Sequence, residues 1–225
     1  MRKGEEKKMM HEYNHKYSME EIFAALDERH SQEVREKLWN ARVGIGGAGG
    51  LGSHTAVALA RAGIGHLHIV DDDVVELSNI NRQAYFLRQV GRKKTEALAE
   101  LIGEINPYIR VTQDCLRVTE ETAAEIFQED EIICEAFDLA ENKATFVNCV
   151  LTSLPEAILI SGSGMAGYSD TNLIRTRRIS GRFYVCGDET NGLETGQALM
   201  APRVSACAAH QANLAIRLIL ERQTP

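Results

Sequence analysis

The chain has 225 residues, 44% of them hydrophobic and 25% charged, with a formal net charge of −7. That suits one globular domain with a sizeable core, and the acidic balance argues against a general nucleic-acid binder, which concentrates Lys and Arg. No apolar run approaches the roughly 18–20 residues that span a bilayer, the charged start MRKGEEKKMMHEYNHKYS lacks a signal-peptide core, and five scattered cysteines without a C-x-x-C pair fit neither a disulfide framework nor a zinc knuckle, so a cytoplasmic protein without zinc is expected.

Residues 1–18 read as a solvated leader. Met19 to Trp39 reads as helical, with Ile22, Phe23, Leu26, Val34 and Leu38 recurring among charges. Ala41 to Ile45 is a short β-type run that ends in a glycine cluster, and Ser53 to Ala62 is an alanine-rich helix stopped by Gly63. Leu67 to Val70 is a second strand, ending at Asp71. A helix over Gly91 to Ile105 follows, then a strand over Ile109 to Val118 and a helix over Thr119 to Gln128 with a threonine N-cap. Glu131 to Phe137 is a strand, Glu141 to Leu154 a helix and Ala157 to Ser161 a strand. Gly164 to Met200 is Gly-rich and irregular, with a strand at Arg182 to Cys186, and Pro202 to Arg222 is a closing helix. Alternating strands and helices imply an α/β, Rossmann-like fold: a mainly parallel sheet with helices on both faces and an irregular C-terminal extension. Residues 1–40 are taken as leader and helices, and 41–225 as one main domain.

The segment strand, Gly47-x-Gly49-x-x-Gly52, helix fits a dinucleotide-type fingerprint. One glycine permits a tight turn, another lets the backbone approach phosphate, and the last lets helix and strand pack closely. The helix N-terminus then offers free N–H groups to an anion. Asp71 lies nineteen residues after Gly52, at the end of the next strand, where a carboxylate accepts from ribose hydroxyls. This pattern alone does not separate ATP from NAD. The polar run Asp73 to Gln83 carries Arg82, and Lys94 opens the next helix; cations of this kind suit a triphosphate better than hydride transfer. Asp138 follows Phe137 at the carboxyl end of a later strand, where a carboxylate can hold Mg²⁺.

The runs G-x-G-G-L-G-S (Gly47 to Ser53), D-x-D-x-V-E-L-S-N-I-N-R-Q (Asp71 to Gln83) and G-x-x-K (Gly91 to Lys94) resemble the ThiF/MoeB-type enzymes, bacterial relatives of ubiquitin-activating enzymes. The resemblance covers roughly 41–161 and is nearest the short, zinc-less branch tied to thiamine biosynthesis. It implies ATP and Mg²⁺ as cofactors. Gly50 and the glycine loop would contact the nucleotide, and Asp71 the ribose. Ser78, Asn79, Asn81 and Arg82 would line the phosphate side, Lys94 would be a second phosphate cation, and Asp138 the magnesium carboxylate. It also implies a homodimer and, as partner, a small ubiquitin-like sulfur carrier with a Gly-Gly tail, with a sulfur-donor protein downstream. The carrier's terminal carboxylate, ionised above a pKa of about 3.5, would attack the α-phosphate and release pyrophosphate.

Several features depart from that family. The N-terminal arginine motif of relatives is only echoed at Arg29-His30-Ser31-Gln32, and Leu139 stands where relatives carry Asn. Cys186, in a Gly-rich stretch expected to be exposed, is the candidate for a covalent thiol. Cys207 reads as packed core, and Cys115, Cys134 and Cys149 as buried. Arg175, Arg177 and Arg178 read as a solvated loop or a dock for an acidic carrier. The alternative functions are an ATP-dependent tRNA-modifying enzyme of the same fold, a nucleotide-binding scaffold without catalysis, and an NAD-dependent oxidoreductase.

Overall fold

The computed structural model describes residues 16–138, 140–192 and 196–221; most of the expected leader and Leu139 lie outside them. Among the described residues seven strands form one sheet, in the order β3-β2-β1-β4-β5-β7-β6. They are β1 (Arg42–Gly46), β2 (His66–Val70), β3 (Arg110–Asp114), β4 (Ile132–Glu135), β5 (Ile158–Gly162), β6 (Arg175–Ser180) and β7 (Phe183–Gly187). All neighbours pair in parallel except β6, which returns antiparallel along β7.

Among the described residues seven α-helices cover both faces: α1 (Met19–His30), α2 (Gln32–Trp39), α3 (Gly50–Ala62), α4 (Lys94–Ile105), α5 (Glu120–Phe127), α6 (Ala140–Ser153) and α7 (Ala201–Glu221). Strands β1, β2, β4 and β5 are largely apolar on both sides because both sides are buried. Within β4, Ile132 and Cys134 join the core that holds Leu59 of α3, Leu98 of α4 and Cys207 of α7, while Ile133 joins Phe127 of α5 and Phe146 of α6. From β1 the chain builds outward through β2 and β3, then returns through β4 and β5 on the other side. The reversal leaves a crevice beyond the carboxyl ends of β1 and β4, the usual ligand position in such sheets.

The expected Met19 to Trp39 helix is two helices. Ser31, at φ 81°, ends α1 and its hydroxyl caps α2 at Val34. Helix α2 docks on the main core, with Leu38 buried and Gly65 N–H donating to Leu38 O at 3.2 Å, and α1 packs on α2, the Phe23 and Trp39 ring centroids 4.7 Å apart. The expected strand over Ile109 to Val118 is only β3, and the helix expected from Gly91 starts at Lys94, because Gly91 turns at φ +88°. Arg175, Arg177 and Arg178 lie on edge strand β6, not on a loop. All six residues of β6 are exposed, so its sequence carries no apolar alternation to reveal it. Basic residues on such an edge discourage pairing with other chains.

Candidate nucleotide-binding site

The glycine loop closes the crevice between β1 and α3. Gly47 takes φ +94° and its N–H donates to Val70 O at 2.8 Å. A Cβ on Gly52 would run into the Gly47 carbonyl oxygen, so the first turn of α3 packs against its own loop. Gly52 itself is not in the cavity wall; its role is this close packing. Gly49 caps α3 without a side chain, which leaves the N–H groups of the first turn available to an anion. The Tyr85 hydroxyl donates to Ala48 O at 2.7 Å and fixes the loop from below.

Asp71 sits at the end of β2. Its Oδ2 accepts Ala48 N–H at 2.6 Å and its Oδ1 accepts Asp73 N–H at 2.8 Å. Burial raises its pKa, and Lys94 and those two N–H donors oppose the rise. The Lys94 ammonium is buried, 2.7 Å from Asp73 and 4.0 Å from Asp71. It reaches the cavity, yet in this structure its charge is directed at those carboxylates.

Arg82 lines the cavity beside Asn79 and the glycines. Its Nη1 donates to Ser78 O at 3.1 Å and Asn81 Oδ1 at 3.0 Å, and no carboxylate pairs with it among the described residues. Ser78 and Asn81, expected on the phosphate side, stand behind Arg82. Neither belongs to the cavity wall, because their oxygens hold Arg82 and Asn81 Nδ2 reaches Leu199 O at 3.2 Å.

The cavity has a volume of about 1350 Å³ and includes Gly47, Gly49, Gly50, Asp71, Arg82, Lys94 and Asp138 in its wall. Ordinary small-molecule sites hold about 300–1,000 Å³, so this one has space for a nucleotide and the reacting end of a second substrate. Asp138 is exposed to it, with no hydrogen bond or ion pair among the described residues, which fits a carboxylate free to take a divalent cation.

Several wall residues escaped the sequence reading. Gly162 ends β5 and residues 163–166 follow it, and Val204 of α7 meets Gly50. Lys143 of α6 also reaches the wall, but its ammonium is held by Glu135 at 2.7 and 2.8 Å and by Gly162 O at 2.7 Å. The Ser161 hydroxyl binds the same buried carboxylate. These contacts join separate strands and helices, and no local spacing announces them.

Cys186 is not exposed. It lies on β7 with no accessible surface, and burial pushes its pKa up to about 11, opposed only by a weak contact to the Thr176 hydroxyl. That environment suppresses the thiolate a covalent step needs. Cys207, Cys134 and Cys149 are buried as expected, whereas Cys115 is exposed beyond the end of the shortened β3. On β6, Arg177 is paired with Glu189, and Arg178 donates to the Ser180 and Gly181 carbonyls. Arg29 is exposed in the last turn of α1, outside the wall of the cavity.

Comparison with known proteins agrees with this architecture. The chain is 42% identical over 105 residues to the probable adenylyltransferase/sulfurtransferase MoeZ of Mycobacterium tuberculosis, covering 46% of the chain and 27% of that protein. It is 34% identical over 152 residues to the tRNA threonylcarbamoyladenosine dehydratase of Bacillus subtilis, covering 66% of the chain and 59% of that protein. The crystal structure of the E. coli dehydratase TcdA in complex with ATP superposes with a TM-score of 0.78 at 24% identity, covering 88% of the chain and 93% of that one, which shows a shared fold. The chain therefore spans about a quarter of the length of the MoeZ-type relative and under two thirds of the B. subtilis dehydratase. The ThiF family model matches residues 21–225, and the chain belongs to the ThiF family.

Proposed function

We propose that the chain binds ATP in the crevice at the ends of β1 and β4 and transfers AMP to a carboxylate held in the same cavity. The observation that carries this reading is Arg82: a guanidinium fixed on neutral oxygens, without a carboxylate partner among the described residues, beside an open helix N-terminus. Its positive charge is left for a ligand, and phosphate is the anion that both groups suit.

In the reaction, a carboxylate oxygen forms a bond to the α-phosphorus and the bond from that phosphorus to the departing pyrophosphate breaks. The carboxylate is ionised at neutral pH, so no general base is needed. Arg82 and the first-turn N–H groups of α3 offset the repulsion between two anions and favour charge on the leaving group. Asp71 orients the ribose, and Lys94 adds positive charge where its ammonium turns from Asp73 to the phosphates. Mg²⁺, held by Asp138, would supply further charge neutralisation.

The substrate we favour is a tRNA nucleoside bearing a threonylcarbamoyl carboxylate. Adenylation followed by attack of another atom of the same substituent, with AMP leaving, removes one water overall and is a dehydration. The likeness to the B. subtilis dehydratase supports this choice, since it spans more of both chains than the likeness to MoeZ. The thiamine-linked assignment gives way to it. Adenylation of a Gly-Gly sulfur carrier stays as the second reading, supported by the higher identity to MoeZ and the net charge of −7, which does not favour a polyanion. A homodimer belongs to both readings.

The deciding experiment offers the protein ATP and Mg²⁺ with either threonylcarbamoyl-modified tRNA or a Gly-Gly carrier, and follows exchange of labelled pyrophosphate into ATP. Exchange and loss of water with the tRNA, both lowered about 10²–10³-fold in Arg82→Ala, is the expected result. Exchange with the carrier alone would replace the first reading by the second, and none with either would remove the adenylation role.

A further inference from the structure

Gln83 is 92% buried by position yet chemically unfinished: only 8% of its surface is accessible, and its Oε1 is buried without any hydrogen-bond partner. Its Nε2 makes no bond among the described residues either. The backbone of this residue is firmly placed, since Gln83 N–H donates to Asn79 O at 2.9 Å. The residue is part of the cavity wall, and its Nε2 lies 3.9 Å from where a Cβ on Gly49 would stand. That puts the carboxamide beside the N-terminus of α3, in the same cavity wall as Arg82, the two groups already argued to attract phosphate.

Burying a carboxamide with nothing to bond destabilises a fold. The neighbouring glutamine shows the contrast. Gln89 is also buried, but its Nε2 donates to Ala97 O at 2.9 Å and Glu100 at 2.8 Å, and its Oε1 accepts Phe86 N–H at 3.0 Å. Gln89 is a structural glutamine; Gln83 has no such partners. We infer that Gln83 is a nucleotide-binding residue whose amide N–H, left without a partner among the described residues and standing beside Gly49, donates to a phosphoryl oxygen of bound ATP. The inference rests on the ATP reading above. A neutral donor at this point complements Arg82 and Lys94 without adding charge, and it keeps its bond while negative charge moves from the attacking carboxylate to the pyrophosphate.

The test is Gln83→Met, which keeps the length and removes both polar atoms, with Gln83→Glu as a second variant that keeps the shape and replaces the donor by an anion. Thermal unfolding of each is followed without ligand, and ATP·Mg affinity by calorimetry. A hydrogen bond to a charged group corresponds to roughly tenfold or more in affinity. The expected result for Gln83→Met is an unliganded Tm equal to or above that of the wild type, with ATP affinity about tenfold weaker. Gln83→Glu should weaken ATP at least as much. ATP binding by Gln83→Met within twofold of the wild type overturns the inference, as does a fall in unliganded Tm with unchanged affinity, which would mark a structural residue. A wild-type protein that binds no ATP overturns the nucleotide reading and this inference together, so the two failures are distinct.

Discussion

Arg82 is held by a carbonyl and an amide oxygen, with no carboxylate partner among the described residues, so substitutions there separate charge from geometry. Arg82→Ala should lower pyrophosphate exchange by about 10²–10³, the usual scale for removing one preorganised transition-state donor, with an unchanged circular dichroism spectrum. Arg82→Lys keeps the charge and loses the fork that the Ser78 and Asn81 oxygens hold; it should recover only part of the rate. Equal rates in all three proteins would remove Arg82 from the chemistry. Thiol reactivity gives a second residue-scale check. Cys115 is exposed, while burial raises the pKa of Cys186 to about 11 and pushes those of Cys134 and Cys207 up as well. The native protein should therefore show one fast-reacting thiol with a disulfide reagent at neutral pH, lost in Cys115→Ser. Rapid labelling of Cys186 would contradict its burial and reopen a covalent step.

Between elements, buried polar side chains join what the backbone ladders do not. Gln211 of α7 donates to Glu135 O at 2.9 Å and Ile160 O at 2.8 Å, and its Oε1 lies 3.0 Å from the Thr55 hydroxyl of α3. On the other side of the sheet His68 bridges Asp114 at 2.8 Å and Asp130 at 2.5 Å, while Arg42 binds Asp130 at 2.6 Å and His66 and Arg110 stand nearby. Burial opposes the charge on His68, but the Asp130 and Asp114 carboxylates outweigh it and raise its pKa. A histidine with a raised folded pKa stabilises fully below its unfolded value of about 6.5 and loses that contribution as pH climbs through the folded value. Urea midpoints should thus fall more steeply for the wild type than for His68→Gln between about pH 6 and pH 9; parallel curves would show that the bridge carries no net charge. Such ties explain what was legible beforehand. Strands β1, β2, β4 and β5 announce themselves as apolar runs, and Gly63 and Thr119 act as the caps their residue types suggest. The edge strand β6 has no apolar face, and the break at Ser31 needed a backbone angle that residue type does not reveal.

Across the whole molecule, the gathering of the glycine loop, Asp71, Lys94 and Asp138 around one cavity was legible because each follows a strand or opens a helix, and that of Arg82 because it closes the polar run after β2. Gln83, Lys143 and Val204 were not, because their place in the wall depends on α6, α7 and the crossing loops arriving from far along the chain. The same segment that supplies Arg82 and Gln83 also carries the clearest exposed apolar strip: Val74, Leu77, Phe86, Leu87 and Val90, with Leu77 and Leu87 each 68% accessible. Two 3-10 turns, Leu77–Asn79 and Leu87–Gln89, hold that strip in one conformation through the buried Asn79 and Gln89. Beside it lie Arg88 and Arg92 against Glu104 and Glu100 of α4, so the patch carries both signs of charge and can complement itself about a twofold axis. Apolar side chains this exposed, on backbone this fixed, suit a surface covered by a second copy. Sedimentation at micromolar concentration should then give twice the 24.9 kDa chain mass, and Leu87→Asp should shift it to the monomer without lowering the secondary-structure content. A monomeric wild type would leave the strip for the macromolecular substrate, whose binding, rather than self-association, Leu87→Asp would then weaken.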